Sequence, residues 1–126
     1  MVRTIDFKIR IRELEIKLFR KDLQEVDDWI DELEEFHQEL SAFFSMERQL
    51  LREDKIRYEL LAVRRVNTLE IARFCKYQQT INTEMECGPG YCEAWIRAHQ
   101  RQRDHYKNYL KSYRIWKMKM FKKLIQ

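Results

Sequence analysis

Residues that break regular backbone occur in one place only. The chain of 126 residues holds two glycines and one proline, and all three stand in Cys87-Gly88-Pro89-Gly90-Tyr91-Cys92. Everything before residue 88 lacks both the residue that turns a chain back most freely and the one that stops a helix. A sandwich or barrel needs such turns many times over, so both are excluded and long helices remain. Hydrophobic residues reach 44% and aromatics 13%, enough for a core and too many for a disordered chain, even with 37% charged. One domain of modest size is expected.

Apolar residues recur at helical spacing in three stretches. Leu23, Val26, Ile30, Leu33, His37, Leu40 and Phe44 step by threes and fours, with Trp29, Phe36, Phe43 and Leu50 repeating every seven beside them. That stripe is wider than a two-stranded coiled-coil seam and suits a bundle core. It predicts a helix over 22–52. Ile56, Leu60, Val63, Asn67, Glu70, Phe74, Tyr77 and Ile81 predict a second over 54–86, with Asp54 as its N-cap in the charged patch Arg52-Glu53-Asp54-Lys55. One helix running unbroken through that patch is the alternative. Trp95, His99, Gln102, Tyr106, Tyr109, Tyr113, Trp116 and Met120 predict a third over 91–123, after a tight turn at 88–90. Each segment would be roughly 45 Å long. The fold class expected is all-α: an up-down-up bundle of three long antiparallel helices.

Residues 1–21 stand apart from 22–126 as an N-terminal amphipathic segment of the same domain. Ile5, Phe7, Ile9 and Ile11 alternate as in a strand, but no second strand candidate exists, so a helix is expected. If the second helix ends beside Lys21, this segment overhangs. Its apolar side chains then need burial by folding back as a fourth helix or by packing on another subunit in a helical homodimer.

Charge is strongly segregated although the net is only +4. Ten acids lie between Asp22 and Glu47 with no Lys or Arg among them, and ten bases lie between Arg97 and Gln126 with Asp104 as the single acid. The first and third helices are therefore expected to be neighbours. Each exposed pair contributes ~1 kcal/mol or less, so the effect is on topology more than stability.

No constellation points to chemistry. Glu34-x-x-His37 has the spacing of a di-iron ligand pair, but the second such pair that a site requires is missing. Cys87 and Cys92 are too loosely spaced for a zinc knuckle, and His99 lies two turns beyond Cys92. Arg101 and His105 resemble the Arg/His pair of some helical ribonucleases, with one intervening residue too few. No nucleophile, base and carboxylate converge, and no phosphate loop is present. Catalytic, cofactor-binding and metal-ligating residues are thus expected to be none, with no cofactor and no evident small-molecule substrate, and the chain is not expected to be an enzyme. Cys75, Cys87 and Cys92 are an odd, sparse set, which favours a reducing cytoplasm. No apolar run approaches the ~18 residues of a membrane span, and Met1 to Arg12 lacks a signal peptide's continuous apolar stretch.

The run Trp29-Ile30-Asp31-Glu32-Leu33-Glu34-Glu35-Phe36-His37-Gln38-Glu39-Leu40 resembles a family of small uncharacterised bacterial helical proteins. In these a Trp-x-x-x-Leu-x-x-Phe/Tyr-x-x-x-Leu helix precedes a second long helix. The resemblance covers about two thirds of the chain and implies no activity. The function expected is a non-enzymatic helical interaction or structural module that self-associates or binds another helical protein. The alternative is a nucleic-acid binder, because Tyr106, Tyr109, Tyr113 and Trp116 alternate with Lys107, Lys111, Arg114 and Lys117. The same aromatics fall on the apolar stripe, which draws them into the core. Two further expectations concern details. Deleting residues 1–20 should lower oligomeric state or stability. His37, Asn67 and Glu70, polar at apolar positions, should form a buried layer with His37 against Glu70 and with His105 or Asn108 from the third helix.

Overall fold

The computed structural model describes the backbone of residues 2–125 and the side chains of residues 4–125. Met1 and Gln126, the outer limits of the two expected segments, lie outside the described residues. The chain is all-helical: α1 spans Val2–Met46, α2 spans Asp54–Cys87 and α3 spans Glu93–Ile125, with no strand among the described residues. None of these helices is long and apolar enough to cross a membrane.

The first corner is made without glycine. After α1 the backbone widens into one π-helical turn, Glu47–Leu51. Arg52 then adopts the left-handed conformation at φ 49°, and its N–H donates to the Glu47 carbonyl at 2.8 Å. A left-handed residue with the amide bonded back five positions is a helix C-terminal closure that glycine usually supplies. Here arginine does so, at a cost of about 1–2 kcal/mol in backbone strain. Glu53, extended, precedes α2 and makes no side-chain cap; Asp54 is the first helical residue instead of the expected N-cap. The second corner does use glycine. Gly90 sits at φ 113°, and the Tyr91 N–H beside it donates to the Glu15 carboxylate at 2.6 Å, tying the corner to α1.

Residue pairs show how the helices lie. Between α1 and α2, Arg12 meets the Met85 carbonyl, Asp27 meets Gln78 and Leu33 meets Asn67, so one number rises as the other falls. Between α1 and α3 the numbers rise together: Asp22 with Trp95, Glu25 with Arg103, Glu39 with Lys117. Between α2 and α3 they oppose again, as in Tyr77 with His99 and Glu59 with Trp116.

Heptad columns on α1 supply the core. Phe19, Val26, Leu33 and Leu40, each seven apart, are fully buried. Beside them Trp29, Phe36 and Phe43 carry the α3-facing column. Trp29 stacks on Tyr106 with centroids 4.9 Å apart, Phe36 stacks on Tyr113 at 3.8 Å, and Phe43 meets Trp116 edge-on at 5.9 Å. Trp29 and Phe36 are seven apart, as are Tyr106 and Tyr113, so the two helices share one aromatic register. Ion pairs run along the outside of this seam. Glu25 binds Arg103, Glu32 reaches Arg114 at 3.4 Å and Glu39 reaches Lys117 at 3.1 Å, in each case an acid of α1 with a base of α3.

The N-terminal segment is not a separate piece. It runs straight into α1, and no fourth helix folds back among the described residues. α2 ends beside Arg12, not Lys21, so Phe19 is already deep in the core, edge-on to Tyr91 and Trp95. Only the turns before about residue 14 project. There Ile5, Phe7, Ile9, Ile11 and Leu14 remain 42–64% exposed.

A polar layer crosses the core at Asn67, but with different partners from those expected. Asn67, fully buried, donates to the Leu33 carbonyl at 2.8 Å, lies 3.2 Å from His37 Nδ1 and accepts from the Tyr109 hydroxyl at 2.7 Å. Glu70 does not meet His37; it binds His105 at 2.8 Å. Three residues along a helix turn a side chain by about 60° from its neighbour's direction. Asn67 lies between α1 and α3 and bonds to both, while Glu70 is swung away from α1 and meets α3 alone, and Asn108 is left exposed.

Candidate functional site: a buried carboxylate–histidine centre

Two carboxylates and one imidazole meet between α1 and α3. Asp22 and Glu25, three apart on α1, both face α3, and His99 faces them from one turn beyond Trp95. Asp22 is 5% exposed and His99 2%, whereas Glu25 stands at the rim. His99 Nε2 lies 2.6 Å from Glu25 Oε1 and 3.6 Å from Asp22 Oδ1. Three atoms, one from each residue, lie within 4.8 Å of one another.

Each of the three side chains is also held from behind. Asp22 Oδ2 accepts from the Trp95 indole N–H and the Tyr91 hydroxyl, both at 3.0 Å. His99 Nδ1 lies 2.6 Å from the Tyr77 hydroxyl, and its ring stacks between Trp29 and Tyr77. Glu25 is gripped by the Arg103 guanidinium through two bonds, at 2.6 and 2.8 Å. A fork of this kind fixes orientation as well as charge. The side chains can therefore neither rotate away nor exchange partners without breaking buried bonds.

Electrostatics follow from those contacts. Burial opposes the Glu25 charge, but the Arg103 fork and the His99 bond together outweigh it and hold the carboxyl below its ordinary range. The same contact raises Arg103 further. Burial, with Asp22 close by, pushes the Tyr91 phenol up to about 12 and the Tyr77 phenol higher still. Ionised carboxylates only accept, so the hydrogen between His99 Nε2 and Glu25 belongs to the ring. In the neutral ring Nδ1 then accepts from Tyr77. A cleft of ≈ 450 Å³ lined by Asp22, Glu25, Tyr91 and Arg103 opens this centre to solvent.

A depressed carboxyl adds stability above the unfolded pKa of about 4.3 and loses it as pH falls through the lower folded value. Wild type is expected to melt at a higher temperature than Glu25→Gln at neutral pH. The gap should narrow as the pH falls below the unfolded value of about 4.3 and vanish only below the lower folded value. Melting curves of the two chains across an acid series check this, and a gap that does not change with pH would remove Glu25 from the acid response.

Sequence reasoning placed Glu25 only within an acid run, and placed His99 on an apolar stripe and set it aside as a metal ligand for its distance from Cys92. The signal it lacked is a pairing register. Once α1 and α3 align with Asp22 at Trp95, the i, i+3 acids fall opposite His99 and Arg103. Other sequence candidates stay apart. His37 meets Asn67, and Glu34 is exposed. Cys75, Cys87 and Cys92 are free and exposed. The rings of the basic helix point inward: Tyr106 and Tyr113 are buried, Tyr109 binds Asn67, and Trp116 donates to Glu59 at 3.0 Å. No protein-family model, no curated protein and no solved structure matches the chain.

Proposed function

We propose that this chain is a non-enzymatic helical interaction module: an up-down-up bundle that self-associates through the projecting start of α1. The observation that carries the reading is the exposure of Ile5, Phe7, Ile9 and Ile11 beyond the point where Arg12 meets the end of α2, with Leu14 exposed beside it. At 100° per residue these side chains form two stripes. Phe7, Ile11 and Leu14 prolong the side of α1 that carries Trp29 and Phe36 against α3. Ile5 and Ile9 prolong the side on which Arg12 and Asp27 meet α2. Both faces therefore continue where their partners have stopped.

A second copy supplies the missing cover with the same surface. Two projecting helices laid antiparallel about a two-fold axis would bury the same patch on both chains. Asp6, Arg10, Glu13 and Lys17 occupy the remaining face, alternate in sign and stay solvated. Self-association of this kind is driven by apolar burial and is insensitive to salt, whereas phosphate binding by the basic helix would weaken steeply as salt rises.

The test substitutes exposed positions. Phe7→Glu with Ile11→Glu is expected to halve the mass of the full chain in sedimentation or light scattering, with its melting curve at low concentration unchanged. Deleting residues 1–20 is a poorer test because it also removes Phe19, Arg12 and Glu15 from the core and corners. A wild-type mass equal to one chain at the highest soluble concentration would end the self-association reading.

A further inference from the structure

We propose that Asp22, Glu25 and His99 bind one zinc-class divalent transition-metal ion, which enters from the cleft beside Arg103. The inference concerns a single chain and is independent of self-association. It rests on what the outer atoms of the three side chains do. Metal ligands are usually fixed by hydrogen bonds to the atom that does not coordinate. Here Asp22 Oδ2 is held by Trp95 and Tyr91, His99 Nδ1 by Tyr77, and Glu25 Oε2 by Arg103, whose second nitrogen also reaches Glu25 Oε1 at 2.8 Å and gives way to the ion there. The inner atoms, Asp22 Oδ1, Glu25 Oε1 and His99 Nε2, converge. Asp22 Oδ1 makes only the 3.6 Å approach to His99 Nε2, longer than a hydrogen bond, although its residue is 5% exposed.

Dimensions and charge agree with an ion. Ligand atoms about 2.0–2.2 Å from a tetrahedral metal lie roughly 3.3–3.6 Å from each other. The His99–Asp22 separation of 3.6 Å already meets this. The His99–Glu25 separation of 2.6 Å must widen as the ion replaces the hydrogen between them. Arg103 neutralises one of the two carboxylates, so one net negative charge remains to attract a cation. One imidazole with two carboxylates suits a borderline ion and not magnesium or calcium, which prefer oxygen alone. With three protein ligands, the fourth position faces the cleft and is open to water or an external ligand. For the metal to take Nε2, the ring hydrogen moves to Nδ1, where the Tyr77 oxygen accepts it; a hydroxyl serves in either role.

Cobalt is the probe, because its visible spectrum reports the ligand set, in the full chain with Cys75, Cys87 and Cys92 changed to serine. The expected result is a d–d band that saturates at one equivalent, is displaced by zinc and is untouched by magnesium. Asp22→Asn, Glu25→Gln and His99→Gln are each expected to weaken binding about tenfold or more, in chains shown by circular dichroism to remain helical. Nitrogen-edited NMR of the wild-type ring gives a second reading that needs no substitution. Zinc should shift His99 Nε2 and leave His37 and His105 unmoved. No saturation at one equivalent, a zinc shift at another histidine, or full binding by folded His99→Gln overturns the proposal.

Discussion

Trp29→Ala is expected to lower the free energy of unfolding by about 3–5 kcal/mol, the range for removing a large buried aromatic. Trp29 lies at the centre of the contacts that bind the three helices together. It stacks on Tyr106 of α3, meets Phe74 of α2 edge-on at 5.3 Å and lies flat against His99 at 5.7 Å. Alanine leaves a void bounded by rings that cannot collapse into it without breaking their own contacts, so the cavity contribution adds to the lost transfer energy. Domains of this size are stable by only about 5–15 kcal/mol, so the loss is a large share of the total. Phe7→Ala is the control. Phe7 is 64% exposed, and its removal should move monomer stability by no more than about 0.5 kcal/mol. Urea denaturation of the three chains at one dilute concentration compares them. A loss below about 1 kcal/mol for Trp29→Ala would mean that the ring stack is not where the helices are held together.

That contrast between Trp29 and Phe7 also marks how far the sequence could be read. Trp29, Phe36 and Phe43 declared their face by recurring every seven residues, and helical periodicity is a local property that needs no partner to be seen. The Gly88-Pro89-Gly90 corner was legible for the same reason, since its residues carry their backbone preferences with them. The corner at Arg52 was not. A left-handed arginine is selected by the packing around it, and no composition signal accompanies it. The projecting turns were legible as apolar but misplaced along α1, because the register of α2 on α1 brings its end beside Arg12 and not Lys21, and that register is not visible in either helix alone.

Partner choice at polar positions was the least legible layer. His37, Asn67 and Glu70 were recognisable as polar residues on an apolar stripe. The three residues from Asn67 to Glu70, a swing of about 60°, then decide whether a polar side chain of α2 reaches α1 as well as α3. The pairing His37–Asn67 and Glu70–His105, instead of His37–Glu70, turns on that swing. Asp22, Glu25 and His99 were hidden for a related reason. Two of them are ordinary members of an acidic helix, and only the α1–α3 register, fixed by Trp29 on Tyr106 and Phe36 on Tyr113, brings His99 between them. The aromatic core thus sets the geometry of the polar centre.

His99→Phe is the second substitution with a large expected effect, about 3–5 kcal/mol, from a lost hydrogen bond to a charged group (about 1.5–3) together with a stranded buried hydroxyl (about 1–3). Phenylalanine keeps a ring in place to stack between Trp29 and Tyr77, so the loss is assigned to the two nitrogens and not to packing. Removing Nε2 leaves Glu25 with Arg103 alone and Asp22 Oδ1 without its nearest donor. Removing Nδ1 strands the Tyr77 hydroxyl in the core, where an unpaired polar group costs about 1–3 kcal/mol. Tyr77→Phe in the native background should cost about 1 kcal/mol, the net value of an ordinary hydrogen bond. In the His99→Phe background the same change removes the stranded hydroxyl and should be neutral or stabilising. The two substitutions are therefore expected to be non-additive by about 1–3 kcal/mol, read from a double-mutant cycle in urea at neutral pH. If the double variant loses the plain sum of the two single losses, Tyr77 and His99 are not coupled, and the hydroxyl cannot be what orients the ring toward Asp22 and Glu25.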